Sequence, residues 1–160
     1  IRVKVDSRVE VTPGFKFNDW EMRGVPLRIE IGPRDIQNET LTLARRDIPG
    51  KNGKIIISRN DLANRVINLL ADIQNSLLLR ATKFRDDHIS HPNDFQEFKE
   101  GIQTGWVFSS WCGSLACEQK IKETTKATTR CIPLDGQDVQ GTCIVCGNEA
   151  NQKAYFAKSY

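Results

Sequence analysis

Apolar and polar residues alternate with a period of two in three short stretches near the start of the chain, residues 1–6, 25–32 and 40–46. Such a period places successive side chains on opposite faces of a β-strand. Residues 54–58, which contain three consecutive isoleucines, are a fourth candidate strand. Turn-forming pairs separate them, namely Pro13-Gly14, Pro49-Gly50 and Asn52-Gly53, and the last pair favours a tight hairpin turn. The pattern predicts a small mixed or antiparallel sheet, with residues 15–22 as a short helical or looped crossing.

Residues 15–35 contain more charged and aromatic side chains than a strand needs for solubility. The apolar residues of the predicted strand share one face, namely Leu27, Ile29 and Ile31. Arg28 and Glu30 lie on the opposite face. The period alone favours a polar face that is simply the solvated side of a half-buried strand. The alternative is a binding surface that is presented from a fixed backbone.

Residues 59–87 carry apolar side chains at steps of three and four, which is the period of an α-helix. These positions are Leu62, Val66, Leu69, Leu70, Ile73, Leu77, Ala81 and Phe84. Ser58 and Asp61 suit the start, because a serine oxygen accepts from a free amide and a carboxylate complements the helix N-terminus. The pattern predicts one long amphipathic helix whose charged face is solvated.

A break at residues 88–93 separates this helix from a second region. Pro92, Asn93 and Asp94 then mark the start of another helix. The elements predicted after the break are a helix up to about residue 105, a strand over 105–111, a helix over 115–124, and strands around 128–133 and 154–159. We therefore expect one domain over residues 1–88 and a second over residues 89–160.

The composition is that of a folded globular protein. Of the 160 residues, 39% are hydrophobic and 27% are charged, and the net charge is only +3. This mild charge argues against a dense, non-specific coat for nucleic acid. Apolar runs such as Leu77–Leu79 are far shorter than the roughly 20 residues of a membrane span. A strand pattern that starts at residue 1 without methionine indicates part of a longer protein.

Four of the five cysteines form two short-spaced pairs. The pairs are Cys112-x4-Cys117 and Cys143-x2-Cys146, with 25 residues between them. Four thiolates surround Zn²⁺ as a tetrahedron, and short spacings bring them together at little loop-closure cost. The late clustering is a poor layout for disulfides and favours a reducing, intracellular compartment. We predict a structural zinc site, and a redox dithiol formed by the second pair is the alternative.

Gly113 and Gly147 each follow a cysteine and relieve crowding where the backbone turns. Cys131 has no short-spaced partner, so we expect a small buried side chain there. His88 and His91 lie about twenty residues upstream of a set that is already complete. We therefore do not expect these histidines to bind the metal.

The chain contains none of the common catalytic motifs. There is no Gly-rich phosphate loop, no serine elbow, no H-E-x-x-H pair and no kinase set. The residues alone therefore predict an α/β domain that is joined by a long helix to a zinc-stabilised domain.

Several blocks of the sequence are distinctive, namely G-F-K-F-N-D-W-E-M-R-G-V-P-L-R-I-E-I-G-P-R-D, F-R-D-D-H, W-C-G-S-L-A-C-E, T-T-K-A-T-T-R-C-I-P, C-I-V-C-G and the terminal A-K-S-Y. Together they resemble the C-terminal part of prolyl-tRNA synthetase of the eukaryote-like or archaeal-like type. The resemblance implies a class II anticodon-binding domain with a mixed five-stranded sheet, followed by a small α/β zinc domain. It also implies that the first strand and helix of that sheet are missing here, which leaves an edge uncovered.

By this resemblance, the segment around residues 15–35 reads guanines at the second and third anticodon positions of proline tRNA. The matching residues are Phe17, Glu21, Arg28, Arg34, Asp35 and, less securely, Lys54. Their chemistry suits guanine, because carboxylates accept from N1 and N2, arginine donates to O6 and N7, and phenylalanine stacks on a base. Arg34 replaces a lysine of some relatives, which keeps the charge and changes the donor geometry. The resemblance also assigns the zinc ligands to Cys112, Cys117, Cys143 and Cys146.

The resemblance implies an enzyme, proline–tRNA ligase, whose catalytic domain with its ATP and Mg²⁺ sites lies outside this chain. It further implies a cytoplasmic homodimer that binds proline tRNA and no membrane. The carboxylate of Tyr160 is expected to approach the active site. The alternative is a stand-alone, zinc-containing RNA-binding or regulatory module with the same fold.

Overall fold

The computed structural model describes residues 1–134 and 139–159, which form two compact units, Ile1–Ala81 and Thr82–Tyr160. The elements of the first unit are α1 (Pro13–Met22), β1 (Leu27–Glu30), α2 (Pro33–Gln37), β2 (Thr40–Arg45), β3 (Lys54–Ser58) and the start of α3 (Leu62–Asp87). Those of the second are β4 (Ile89–Ser90), α4 (Phe95–Thr104), β5 (Trp106–Trp111), α5 (Leu115–Thr125), β6 (Ala127–Cys131) and β7 (Gln152–Lys158). The α/β class with two sheets is confirmed, while the boundary predicted after residue 88 stays a prediction.

The sheet of the first unit has the order β1-β2-β3, and both pairings are antiparallel. It therefore differs from the mixed five-stranded sheet that the resemblance implied. Ile29, Leu43 and Ile55 face one another across the strands, because the alternating sequence puts them on one face. This face packs with α3, and the buried core consists of Leu41, Leu43, Ile57 and Leu69.

The strand predicted over residues 1–6 is wrong. The structure assigns no strand to this segment, and Ile1, Val3 and Val5 are 75–77% exposed. Alternation is a pattern of side chains, whereas a strand needs a neighbour for its backbone donors and acceptors. No strand of the described residues pairs with this segment.

On β1 the polar face is more buried than the apolar face, which is the reverse of the expectation. Ile29 is 39% exposed and Ile31 is 62% exposed, whereas the side chains of Arg28 and Glu30 are each only 19% exposed. β1 is an edge strand, so its apolar face is only partly covered. The polar face is covered by α1 and by its own ion pairs. The prediction of a solvated polar face is therefore wrong.

The connection between β2 and β3 is longer than the tight turn that Asn52-Gly53 favours. It spans residues 46–53 and ends in a 3₁₀ turn, Gly50–Gly53. A Cβ at Gly53 would lie only 2.1 Å from the Ile48 carbonyl oxygen, so only glycine fits there. Next to this loop, Arg45 donates to Asp47, whose side chain is fully buried.

The long helix is confirmed over Leu62–Asp87, and a 3₁₀ turn at Arg59–Asp61 forms its entry. Ser58 caps this turn by accepting from the Asn60 amide at 3.3 Å. Leu69 and Ile73 are buried, but Phe84 near the C-terminal end is 66% exposed. Within the described part of the chain, no helix combines the length and the apolar character that a membrane crossing requires.

The sheet of the second unit has the order β4-β5-β7-β6 and contains one parallel pairing, between β4 and β5. Its core residues come from α4, α5 and one face of the sheet. They include Phe98, Ile102, Val107, Trp111, Ile121, Ala154 and Phe156. The two helices and the three longer strands were predicted, but the two-residue strand β4 was not.

Cys131 is exposed, which contradicts the expected small buried side chain. It lies at the end of β6, an edge strand, just after a register shift between Thr129 and Cys131. Cys131 is paired with Tyr155, which points away from the core formed by its neighbours Ala154 and Phe156. The edge position therefore explains the exposure.

We predict that Asp47→Asn lowers the free energy of unfolding by about 2 kcal/mol near neutral pH, because it leaves Arg45 without its carboxylate partner. The hydrogen bonds from Arg45 hold the pKa of Asp47 below its usual value of about 3.9. This contribution is present above that value and is lost as the pH falls through the lower, folded-state pKa. Urea unfolding near pH 7 and towards about pH 2 checks both points.

Asp86→Asn is the matched control, because the Arg85–Asp86 pair is 65% and 55% exposed. Its removal is expected to change stability much less than Asp47→Asn does, because solvent screens an exposed pair. Equal losses in the two variants, or a loss at Asp47 that persists in acid, would contradict the role of the buried pair.

Candidate nucleic-acid interface and metal centre

Helix α1 carries two of the candidate residues on one face. Thr12 caps it by accepting from the Phe15 amide at 3.3 Å, and Pro13 occupies the first turn, where its missing N–H costs nothing. Phe17 and Glu21 are four residues apart and therefore lie on the same side of the helix. No residue of α1 is buried, so an apolar core does not hold it in place.

The opposite side of α1 is held by the segment that precedes it. Asp6 accepts from the indole Nε1 of Trp20 at 2.8 Å and from Arg8 at 2.7 Å. Arg8 also pairs with Asp19 of α1 at 2.9 Å. The hydrogen bonds from Arg8 and Trp20 hold the pKa of Asp6 well below its usual range. Residues 1–12 therefore fix α1 through polar contacts although they form no strand.

Arg28 of β1 connects the sheet to α1. Its guanidinium carbon lies 4.0 Å from the centre of the Phe17 ring, which is the geometry of a cation–π contact. Its Nη1 donates to Glu21 at 2.5 Å, and its Nε and Nη2 donate to Glu30 at 3.0 and 2.9 Å. Arg28 is therefore enclosed by one aromatic ring and two carboxylates. We call Phe17, Glu21, Arg28, Glu30 and Lys54 the Arg28 cluster.

Lys54 of β3 joins the same cluster through Glu30. Its ammonium donates to the second Glu30 oxygen at 2.6 Å and lies 5.9 Å from the Phe17 ring. Burial opposes ionisation of Glu30, but the hydrogen bonds from Lys54 and Arg28 outweigh it and keep the pKa below its usual value. Glu30 was not among the residues assigned by resemblance. Its position two residues from Arg28 on the same face was the available signal.

Arg34 and Asp35 lie in α2, and the structure does not place them within hydrogen-bonding contact of this cluster. Asp35 accepts from the Gly32 amide at 2.8 Å and so stabilises the start of its own helix. Arg34 is exposed, and among the described residues no partner of its guanidinium is found. Of the six candidates, the structure brings together Phe17, Glu21, Arg28 and Lys54.

The four paired cysteines come together in the second unit. Cys112 follows β5 and Cys117 lies in α5, which begins at the cap residue Ser114. Cys143 is buried and Cys146 is exposed. Their four sulfur atoms all lie within 4.8 Å of one another. A turn glycine with positive φ accompanies each pair. Gly113, with φ of 76°, lies between Cys112 and Cys117, and Gly147, with φ of 74°, directly follows Cys146.

This cluster fits a tetrahedral metal ion. Four sulfurs at about 2.3 Å from a common centre are separated from each other by about 3.8 Å. The Sγ atoms of Cys112 and Cys117 are 3.6 Å apart, and those of Cys112 and Cys146 are 3.9 Å apart. The four cysteines could therefore hold a metal ion without rearrangement of the backbone.

The thiols of the cluster affect one another even without a metal ion. Hydrogen bonds with Ser114 lower the pKa of Cys112 to about 6. For Cys117 the Ser114 hydrogen bond also lowers the pKa, but burial and the neighbouring sulfurs outweigh it and raise the value to about 12. The thiolate form is thus favoured at Cys112 and the thiol form at Cys117. A cation at the centre of the cluster would stabilise all four cysteines as thiolates.

The two histidines and the fifth cysteine lie outside the sulfur cluster. His88 Nδ1 contacts the Phe84 carbonyl oxygen at 2.6 Å, and the His91 ring packs against Phe108 with centroids 5.8 Å apart. Tyr160, whose carboxylate was expected to approach an active site, lies outside the described residues.

Two family models match separate parts of the chain. The model described as "Anticodon binding domain" matches residues 1–69, and the model described as "Prolyl-tRNA synthetase, C-terminal" matches residues 95–160. The first range contains the Arg28 cluster and the second contains all four paired cysteines.

Curated relatives match over essentially the whole chain. A proline–tRNA ligase of Roseiflexus sp. (strain RS-1) is 43% identical over 160 residues, which are 100% of this chain and 33% of the relative. The chloroplastic/mitochondrial proline–tRNA ligase of Arabidopsis thaliana is 46% identical over 164 residues, covering 100% of this chain and 30% of the relative. A proline–tRNA ligase of Alkaliphilus oremlandii is 46% identical over 161 residues, covering 99% and 33%. The chain thus spans about a third of the length of these relatives.

We predict that Cys112→Ser abolishes stoichiometric metal binding, because three thiolates and a hydroxyl hold a soft divalent ion much more weakly than four thiolates. Elemental analysis of the purified protein measures this. Cys131→Ser is the matched control, since Cys131 lies outside the cluster, and it is expected to keep the full metal content. Loss of metal in both variants, or in neither, would contradict the assignment.

Proposed function

We propose a function for the chain from the families that its two parts match. Residues 1–69 match the anticodon-binding domain family, and residues 95–160 match the family of the prolyl-tRNA synthetase C-terminal domain. The chain is the anticodon-recognising and metal-binding C-terminal part of a proline–tRNA ligase, an enzyme that attaches proline to its tRNA with ATP. The observation that carries this proposal is the identity of 43–46% to curated proline–tRNA ligases over the full chain.

The Arg28 cluster supports recognition of an unpaired guanine. Phe17 supplies an aromatic face for base stacking, and Arg28 supplies donors for guanine O6 and N7. Glu21 supplies an acceptor for guanine N1 and N2. In the free protein Glu21 and Arg28 are paired at 2.5 Å. Each residue therefore uses, for its contact with the other, a hydrogen-bonding group that would contact the guanine edge in the complex.

The proposed anticodon surface also includes Arg34, Asp35 and Lys54, and each of them has a different structural setting. Lys54 lies beside Phe17, and its charge suits a phosphate or a base carbonyl. Arg34 is exposed and free to contact RNA. Asp35 caps α2, so its contribution to RNA binding includes fixing the backbone that carries Arg34.

We further propose that the metal ion is Zn²⁺ with a structural role. Support comes from the four-sulfur donor set and from sulfur separations near about 3.8 Å, the value of a tetrahedral zinc–thiolate site. Four protein ligands leave no open position for a substrate. When bound, the ion holds Cys112 and Cys117 near the start of α5 against Cys143 and Cys146.

The remaining expectations belong to the same proposal. The catalytic part with its ATP and Mg²⁺ sites, a homodimeric assembly and a cytoplasmic location follow from the resemblance, as does an approach of Tyr160 to the active site. A stand-alone RNA-binding module is the competing function. It predicts that the gene product containing this chain has no proline-dependent exchange of pyrophosphate into ATP.

We predict that Arg28→Ala in the complete protein lowers kcat/KM for aminoacylation of proline tRNA by about tenfold to a hundredfold, because it removes a contact worth about 1–3 kcal/mol. Proline-dependent pyrophosphate exchange should be nearly unchanged, since that step needs no tRNA. Both rates are measured on one preparation. An equal loss in both assays would contradict the anticodon assignment.

A matched control is Arg85→Ala, which removes an arginine that is 65% exposed and paired with Asp86. It is expected to leave both rates unchanged within about twofold. If Arg85→Ala reproduces the effect of Arg28→Ala, the loss reflects overall charge and not a base contact.

A further inference from the structure

We propose that Glu30 is a positioning residue for anticodon recognition: it fixes the orientation of Arg28 and ties Lys54 to it across the sheet. This inference rests on the proposed function. It assigns a role to a carboxylate that does not itself need to touch RNA.

Glu30 occupies the Nε–Nη2 edge of the Arg28 guanidinium, whereas the Glu21 contact at Nη1 is the one that a bound guanine replaces. A guanidinium has five N–H donors in a planar fork. One Glu30 oxygen receives both Nε and Nη2, while Glu21 receives Nη1. Each of Nη1 and Nη2 has a second N–H that is not used by these contacts. We expect these two nitrogens to donate to guanine O6 and N7.

Glu30 also defines the distance between the two cations of the cluster. β1 and β3 are separated by β2, so their backbones lie about 10 Å apart. The ion pair between Glu30 and Lys54 crosses β2 with a length of 2.6 Å. The register places Ala44 between Arg28 and Lys54 and Thr42 between Glu30 and Ile56. These small side chains leave room for the crossing.

The burial of the pair explains why a carboxylate is useful here although RNA is anionic. The side chains of Arg28 and Glu30 are each 19% exposed, so their contact is shielded from water more than a surface pair is. A flexible arginine would lose rotamer freedom on binding RNA. Because Glu30 holds Arg28 in one orientation, this rotamer freedom is already lost when the protein folds. Arg28 is therefore oriented before RNA binds.

The test is a double-mutant cycle in the complete protein. Affinity is measured at one salt concentration for a proline tRNA transcript and for a transcript with one anticodon guanine replaced by adenine. Their ratio is the discrimination. The proteins are wild type, Glu30→Gln, Arg28→Ala and the double variant. Glu10→Gln, which removes an exposed carboxylate of the same unit, is the control.

We expect Glu30→Gln to lower discrimination by about fivefold to tenfold, within the range of one base contact. Affinity for the altered transcript should stay the same or rise, because a negative charge near the phosphates has been removed. In the Arg28→Ala background Glu30→Gln should have no further effect on discrimination. Glu10→Gln should leave the ratio unchanged.

Two outcomes overturn the inference alone. One is an unchanged ratio in Glu30→Gln while Arg28→Ala lowers it; the other is an equal factor from Glu30→Gln with and without Arg28. If Arg28→Ala leaves the ratio unchanged, the proposed anticodon site fails as well. Pyrophosphate exchange and thermal unfolding confirm the integrity of each variant. If Glu30→Gln does not fold, Glu30→Asp, which keeps the charge but shortens the reach, must show the same loss of discrimination.

Discussion

The position of α1 depends on the contacts of Arg28. This helix has no buried residue, so the hydrophobic effect, which fixes most helices against a sheet, contributes little here. The stacking of Phe17 at 4.0 Å and the ion pair with Glu21 join the helix to β1 from one side. Asp6 and Arg8 hold it from the other side. The proposed base-reading arginine is therefore also one of the two attachments of the helix that carries Phe17 and Glu21.

In the proposed function, this double role of Arg28 affects RNA binding. A guanine that pairs with Arg28 and Glu21 must replace their mutual contact, so binding exchanges one charge-assisted interaction for others. The net gain is smaller than the sum of the new hydrogen bonds, so the contact in the free protein lowers the affinity for every base. A base that cannot satisfy both Arg28 and Glu21 leaves one of them without a partner. Discrimination therefore comes from this unpaired group in the complex with the wrong base.

Much of the fold was predictable where the pattern reflects local burial. The strand over residues 40–46 and the long helix follow from period and capping. The strand over residues 54–58 follows from its run of isoleucines after two turn signals, and the cysteine pairs follow from spacing. The predictions fail where tertiary contacts decide. Residues 1–6 alternate but find no strand to pair with, and Cys131 lies on an edge strand. Arg28 and Glu30 are half-buried because α1 and Lys54 cover them, which no strand period can show.

The surface formed by Phe17, Glu21 and Arg28 is proposed to read an anticodon guanine. The affinity of the complete protein is measured for two proline tRNA transcripts that differ only at one anticodon guanine, replaced by adenine. We expect at least about tenfold weaker binding of the altered transcript, as expected from one lost base contact. Equal affinity for the two transcripts would rule out recognition of that guanine.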